Sequence, residues 1–228
     1  MPSETGSIRF YFDYISSNAY LAWARLPELA ARYGRSVEPV PSLFAGLLNA
    51  HGQLGPAEVL PKAWWMCKNN LRKAALIDLP LRAPAAHPFN PLLPLRVSSL
   101  SMPAGTKSKL ISGLFAGHWA RRVDISKPDA VAAIATEAGL DGEKALREAQ
   151  APEIKQHLRE TTEAAVAEGV FGVPTMIVDG ELFWGYDDFP YLERFLAGED
   201  PLDREALTEW AEIPRAVRRR RPGESAAP

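Results

Sequence analysis

Ile8-Arg9-Phe10-Tyr11-Phe12-Asp13, followed at once by Tyr14-Ile15-Ser16-Ser17-Asn18, is the stretch on which the fold turns. Ile8, Phe10 and Phe12 share one face at period two while Tyr11 takes the other, the pattern of a buried strand. The residues after it include small hydroxyls and an amide, the types that accept bonds from the free N–H groups at a helix start. Ala22, Leu26, Leu29, Ala30 and Tyr33 then recur at helical spacing as far as Gly34. Pro27 lies inside that pattern and removes a backbone donor, so a kink or break is expected near Arg25 and Leu26. Val37 to Val40 reads as a second strand, and Pro39 and Pro41 mark it as short or as a sheet edge.

From Leu43 to about Gly169 no strand is apparent, and helical periodicity recurs between Gly and Pro breaks. The expected helices run from Pro56 to Ile77, Pro91 to Leu100, Thr106 to Val123, Pro128 to Ala138, Asp141 to Gln150 and Pro152 to Glu168. In several of them proline sits near the first turn, where its missing donor costs little. Strand character returns at Val173-Pro174-Thr175-Met176-Ile177-Val178, and Asp179-Gly180 joins it to Glu181-Leu182-Phe183-Trp184 as a hairpin. Asp187 is placed to cap a last helix through Leu192 to Leu196, stopped by Gly198. Strand, helix, strand, long helical stretch, hairpin, helix is the thioredoxin order. The expected class is therefore α/β, a thioredoxin-like domain with a large all-helical insertion. Its parts are residues 1–43 and 170–198 for the thioredoxin-like domain, 44–169 for the insertion, and 199–228 for a polar C-terminal tail holding Arg218 to Arg221.

The 228 residues, 46% hydrophobic and 24% charged, exclude a disordered or collagen-like chain. A formal charge of −2 gives no global positive field to hold nucleic acid or an anionic membrane, so neither is expected as a partner. No basic start followed by an apolar run marks a secretory signal, and no window reaches the roughly 18 apolar residues of a membrane span. A single cysteine, Cys67, fits a reducing compartment, and a cytoplasmic location is expected. Cys67 is read as buried beside Trp64, with Trp64 and Trp65 as helix packing. His51, His118 and His157 lack metal-ligand spacing, so no metal is expected.

The loop after the first strand of such a domain presents side chains at a helix N-terminus, where unpaired N–H groups and the macrodipole favour an anion. Ser16-Ser17-Asn18-Ala19 stands there, with no sulfur of its own. Ser16 can donate a hydrogen bond to a thiolate that arrives with a ligand; it can equally be a plain helix cap. A cis peptide at Val173–Pro174 would expose the N–H and C=O of Val173 to an extended peptide, and glutathione is such a peptide. Gly185-Tyr186-Asp187 could take a carboxylate on backbone donors and an ammonium on Asp187, or be an ordinary capped turn.

Phe10-Tyr11-Phe12-Asp13-Tyr14-Ile15-Ser16 with Tyr20-Leu21-Ala22, Gly55-Pro56, His87-Pro88-Phe89-Asn90-Pro91-Leu92, Val170-Phe171-Gly172-Val173-Pro174-Thr175-Met176, Gly180, Phe183-Trp184-Gly185 and Asp187 together resemble the 2-hydroxychromene-2-carboxylate isomerases. These are DsbA-like thioredoxin proteins, akin to the kappa-class glutathione transferases, and the resemblance spans about residues 7 to 197. It implies a glutathione-dependent isomerase acting by reversible thiolate addition on 2-hydroxychromene-2-carboxylate or a related aromatic-catabolism intermediate. Ser16 would stand beside the glutathione sulfur, Val173 and Pro174 beside its backbone, and Gly185, Tyr186 and Asp187 at its γ-glutamyl end. Lys62, Asn90 and Arg96 are candidates to face the carboxylate of a small aromatic substrate, and His87 to line the pocket. A kappa-type transferase or peroxidase, or a thioredoxin-like peptide-binding module without chemistry, are the alternatives, and a homodimer is compatible with each. The chain departs from the family pattern at Ser17-Asn18-Ala19, where proline, an aromatic and serine are usual, and at Asp188, where arginine is.

Overall fold

A computed structural model of the chain describes residues 6–214. Strand β1 (Ser7–Phe12), helix α1 (Ser17–Arg32) and strand β2 (Ser36–Pro41) lead into seven helices. These are α2 (Phe44–His51), α3 (Leu60–Leu76), α4 (Leu92–Ser98), α5 (Ala104–Trp119), α6 (Pro128–Glu137), α7 (Gly142–Glu148) and α8 (Pro152–Ala167), with one 3-10 turn at Pro56–Glu58. Strands β3 (Thr175–Val178) and β4 (Glu181–Trp184) follow, then a 3-10 turn at Tyr186–Asp188, α9 (Phe189–Leu196) and α10 (Arg204–Glu212). The sheet order is β2-β1-β3-β4. β1 pairs with β2 in parallel, Phe10 opposite Pro39, and with β3 antiparallel, Phe10 opposite Met176. This is a thioredoxin-like domain carrying a large all-helical insertion.

The alternation in β1 divides the core. Ile8, Phe10 and Phe12 are fully buried on one face, where Phe12 meets Tyr14 at 5.3 Å and Phe115 at 5.6 Å between ring centroids. Tyr11 lies on the opposite face with Leu47, Ala165, Val170, Val173 and Ile177. Polar bonds stitch the insertion to this core, among them the Tyr14 hydroxyl paired with Ser98 Oγ at 2.6 Å and Trp119 Nε1 donating to the Tyr14 carbonyl at 2.9 Å. β2 is an edge strand, which tolerates Pro39 and Pro41 because the sheet asks for no donor on its outer side. At the β3–β4 hairpin Asp179 and Gly180 both take positive φ, as the dipeptide predicts.

Several local expectations are corrected. α1 runs unbroken through Pro27, because Leu26, Leu29 and Ala30 on the same turn are buried and hold the helix against the core despite the lost bond. α2 has no forerunner in the sequence pattern: it buries only Leu47, and its head is capped by Asp13 Oδ2, which accepts the Phe44 N–H at 2.9 Å from 31 residues away. α9 has no side-chain cap from Asp187; Asp188 Oδ2 instead accepts the Trp184 N–H at 2.8 Å. Cys67, Trp64 and Trp65 are exposed rather than packed. The stretch read as a polar tail includes α10, which buries no side chain and leaves that reading standing as an expectation, and Arg218 to Arg221 lie outside the described residues.

Asp13 is fully buried, and its two oxygens accept the Ile15 N–H at 3.1 Å and the Phe44 N–H at 2.9 Å. Burial outweighs those bonds and raises its carboxyl to about 7. His118, buried with both ring nitrogens unpartnered among the described residues, is pushed the other way, to about 4, chiefly by desolvation. A raised carboxyl means that the folded state keeps a proton the unfolded chain gives up, so the Asp13 contribution is complete below the ordinary carboxylate range and is lost as pH rises towards 7. The neutral histidine has the opposite sign, its stability being lost as pH falls below the ordinary imidazole value. The two partly cancel, so the wild-type profile is shallow, and Asp13→Asn should gain stability relative to wild type as pH rises from 5 to 8. Paired thermal unfolding curves measure this, and a difference that does not change with pH would remove Asp13 as the titrating group.

Candidate active site

The site forms where the carboxyl end of β1, the head of α1 and the loop entering β3 converge. Ser16 is the N-cap of α1: its Oγ accepts the Ala19 N–H at 3.1 Å and donates to the Val173 carbonyl at 3.3 Å. The N–H groups of Ser17 and Asn18 belong to the first turn, where helix geometry supplies no partner, so the half-buried hydroxyl lies beside a donor-rich end. The Val173–Pro174 bond is cis, and Val173 and Pro174 are buried. Gly172 is required by packing, since a Cβ there would come within 2.7 Å of Trp184 Nε1. Trp184 also meets Phe171 in a tilted arrangement, 5.3 Å between ring centroids, beside the loop.

Gly185 closes the other side. Its φ of +81° lets the chain leave β4 so that the Tyr186 N–H faces α1, where Asn18 Oδ1 accepts it at 2.7 Å. The Gly185 N–H returns to the Pro174 carbonyl at 2.9 Å, joining this turn to the loop beside Ser16. Asp187 pairs with Lys73 of α3 at 2.6 Å, the lysine mostly covered and the carboxylate largely exposed. One turn earlier on α3, Asn70 Nδ2 donates to Ser17 Oγ at 2.8 Å, and its buried Oδ1 has no partner among the described residues. Burial raises the Tyr186 hydroxyl above its ordinary range; Arg25 opposes this and Asp187 adds to it. A groove of about 350 Å³ runs past Tyr186, Asp187 and Lys73 towards Arg25 and Arg32 of α1.

Ser16, Val173 and Pro174 therefore come together, and Gly185, Tyr186 and Asp187 join them through Asn18 and Lys73. The contacts of the other named residues fall outside this group. Lys62 is exposed on the first turn of α3, and Asn90 accepts the Leu92 N–H at 3.0 Å at the head of α4. The His87 ring lies 5.4 Å from Trp119. Arg96 lines a separate cleft of about 590 Å³ between α2, α4 and α8, its buried Nε without a partner among the described residues. Sequence reasoning missed Lys73 and Asn70 altogether and saw Asn18 only as a departure. The available signal was Asn70 and Lys73 at i and i+3 on the same inward face of α3 as buried Ala74, since polar residues on a packed face demand partners. Among the described residues no cluster of three or more His, Cys, Asp or Glu could hold a metal, and no helix is long and apolar enough to cross a membrane.

Residues 7–197 match the model of the DSBA-like thioredoxin domain. The 2-hydroxychromene-2-carboxylate isomerase of Sphingobium xenophagum is 31% identical over 195 residues, which cover 84% of this chain and 98% of that protein. Human glutathione S-transferase kappa 1 is 27% identical over 208 residues, 83% of this chain and 90% of that one. A solved structure of selenomethionine 2-hydroxychromene-2-carboxylate isomerase superimposes with a TM-score of 0.78 at 24% identity, covering 91% of this chain and 99% of that one. The chain belongs to the DsbA-like thioredoxin family and, within it, to the 2-hydroxychromene-2-carboxylate isomerases, and it is accordingly an isomerase.

Two substitutions test the geometry without any ligand. Ser16→Ala removes a helix cap and should lower stability by about 1 kcal/mol, as measured by urea unfolding. Asn18→Ala leaves the Tyr186 N–H without its acceptor, and hydrogen exchange at that amide should accelerate. Unchanged protection there would show that the Asn18 bond is not formed in solution.

Proposed function

We propose that the chain is a glutathione-dependent isomerase acting on 2-hydroxychromene-2-carboxylate or a related small aromatic acid in the cytoplasm. The observation that carries this reading is the position of Ser16 Oγ, at the head of α1 and 3.3 Å from the Val173 carbonyl. That bond is long for O–H···O, and the hydroxyl can turn its proton to a thiolate while its oxygen keeps the Ala19 N–H. A hydrogen bond to an ionised acceptor is roughly twice as strong as a neutral one. Together with the positive end of α1, it favours the anionic form of a thiol held there. Glutathione would supply that sulfur, which adds to the substrate and leaves again.

The fit at the far end of the ligand rests on Lys73 and Asp187. The γ-glutamyl end of glutathione carries an ammonium and a carboxylate on one carbon, the charge complement of that ion pair. An ion pair with one largely exposed partner is worth only about 0–1 kcal/mol, so exchanging it for two pairs with the ligand costs little. Asn18 holds the Tyr186 N–H in the meantime, so that donor is not left bare. The kinship with a kappa-class glutathione transferase supports the same cosubstrate.

Calorimetry should show glutathione binding, and Lys73→Met should weaken it about tenfold or more, a loss of about 1.4 kcal/mol. Ser16→Ala should raise the pKa of the bound thiol in an ultraviolet titration and lower kcat on hydroxychromene carboxylate by about 100-fold, the scale of losing one donor to a developing anion. No binding at millimolar glutathione removes the proposal. Turnover of chlorodinitrobenzene without turnover of the chromene would make the protein a transferase instead.

A further inference from the structure

α2 is weakly anchored, burying only Leu47 among its eight residues. Its side running from Leu43 through Gly46 to Ala50, at steps of three and four, lines the cleft of about 590 Å³ that it shares with α4 and α8. Small residues keep that space open. Gly46 lets α2 approach α8, since a Cβ there would come within 2.9 Å of Thr162 Cγ2, and Ala50 adds only a methyl. The cleft has no lining residue in common with the groove beside Tyr186 and Lys73. Its volume falls within the roughly 300–1,000 Å³ of small-molecule sites.

The lining is of two kinds. Leu43, Leu92, Leu158 and Val166 are aliphatic, and no aromatic side chain stands among them. Arg96, Lys155 and Arg159 are cations, set against one acid, Glu163. None of these four charged groups is in an ion pair among the described residues. A chain with a formal charge of −2 therefore gathers a local positive excess here, which favours an anion. Arg96 is largely covered, and its buried Nε has no partner among the described residues. A buried donor left so costs about 1–3 kcal/mol. A carboxylate returns that cost, because it pairs with a guanidinium through two parallel N–H···O bonds.

The apolar walls decide the rest of the ligand. A sugar phosphate or nucleotide would press hydroxyls against leucine side chains without bonds to replace their water. An aromatic acid would find no ring to stack on. We propose that this cleft is a second ligand site, for an aliphatic monocarboxylate of medium chain length. Its carboxylate rests on Arg96, with Lys155 and Arg159 at the exposed rim, and its chain lies along Leu43, Leu158 and Val166. Occupancy acts on α2. The Leu43 N–H is held by Thr162 Oγ1 at 3.0 Å and the Phe44 N–H by Asp13 Oδ2 at 2.9 Å. A chain seated between Leu43 and Leu158 must leave before α2 can lift and break both bonds.

Calorimetry of the full chain with sodium octanoate should show one site of millimolar affinity or tighter, with acetate and octanamide each weaker by about tenfold or more. Arg96→Met should weaken octanoate by about tenfold. Arg159→Glu changes only an exposed side chain and should weaken it too, and Ala50→Trp should fill the cleft and block it, both with unchanged far-ultraviolet dichroism. At octanoate about ten times its Kd, hydrogen exchange at the Leu43 and Phe44 amides should slow about tenfold, while the Tyr186 amide exchanges as before. No binding at millimolar octanoate, acetate or octanamide binding as tightly, or binding indifferent to both Arg159→Glu and Ala50→Trp would each overturn the proposal.

Discussion

A single buried carboxyl fixes the end of the sheet where the chemistry is read. Asp13 follows the last residue of β1, and its oxygens accept N–H groups from the approach to α1 and from the head of α2. Its own carbonyl accepts the Ser16 N–H at 3.1 Å, so the residue that caps α1 is positioned by the residue that caps α2. A solvent-exposed loop would not hold three bonds in register, whereas a desolvated group cannot release them cheaply. Moving Ser16 therefore means disturbing β1, α1 and α2 together. The steep rise in the Asp13 carboxyl is the electrostatic cost of this arrangement.

Legibility in the sequence followed distance along the chain. Ile8, Phe10 and Phe12 revealed β1, and Asp179-Gly180 revealed the hairpin, because pleat and turn conformation are settled by adjacent residues. All four strands were found, and the thioredoxin order followed from them. α2 was not found, since its cap comes from Asp13 and its sequence buries a single side chain. The break expected at Pro27 failed for a related reason: local propensity lost to the packing of Leu26, Leu29 and Ala30.

The candidate site was half visible by the same rule. Ser16 and Val173–Pro174 announce themselves through a helix-start pattern and a proline before a strand. The contacts that join them to Gly185–Asp187 run from Asn18 to Tyr186, 168 residues apart, and from Lys73 to Asp187, 114 residues apart. No periodicity encodes those pairs. Asn18 carries a local purpose that its neighbours in sequence do not announce: its amide oxygen satisfies a backbone donor that a side chain without an acceptor would leave to something else.

The bonds from Tyr14 to Ser98 and from Trp119 to the Tyr14 carbonyl bear on how this molecule can move. Both are buried, and both cross from the inserted helices to the chain leaving β1. A hinge between the two parts would have to rupture them in a medium without water to replace them. Opening the two parts like a clamshell therefore carries the cost of both bonds, about 1–3 kcal/mol for each buried group left unpaired.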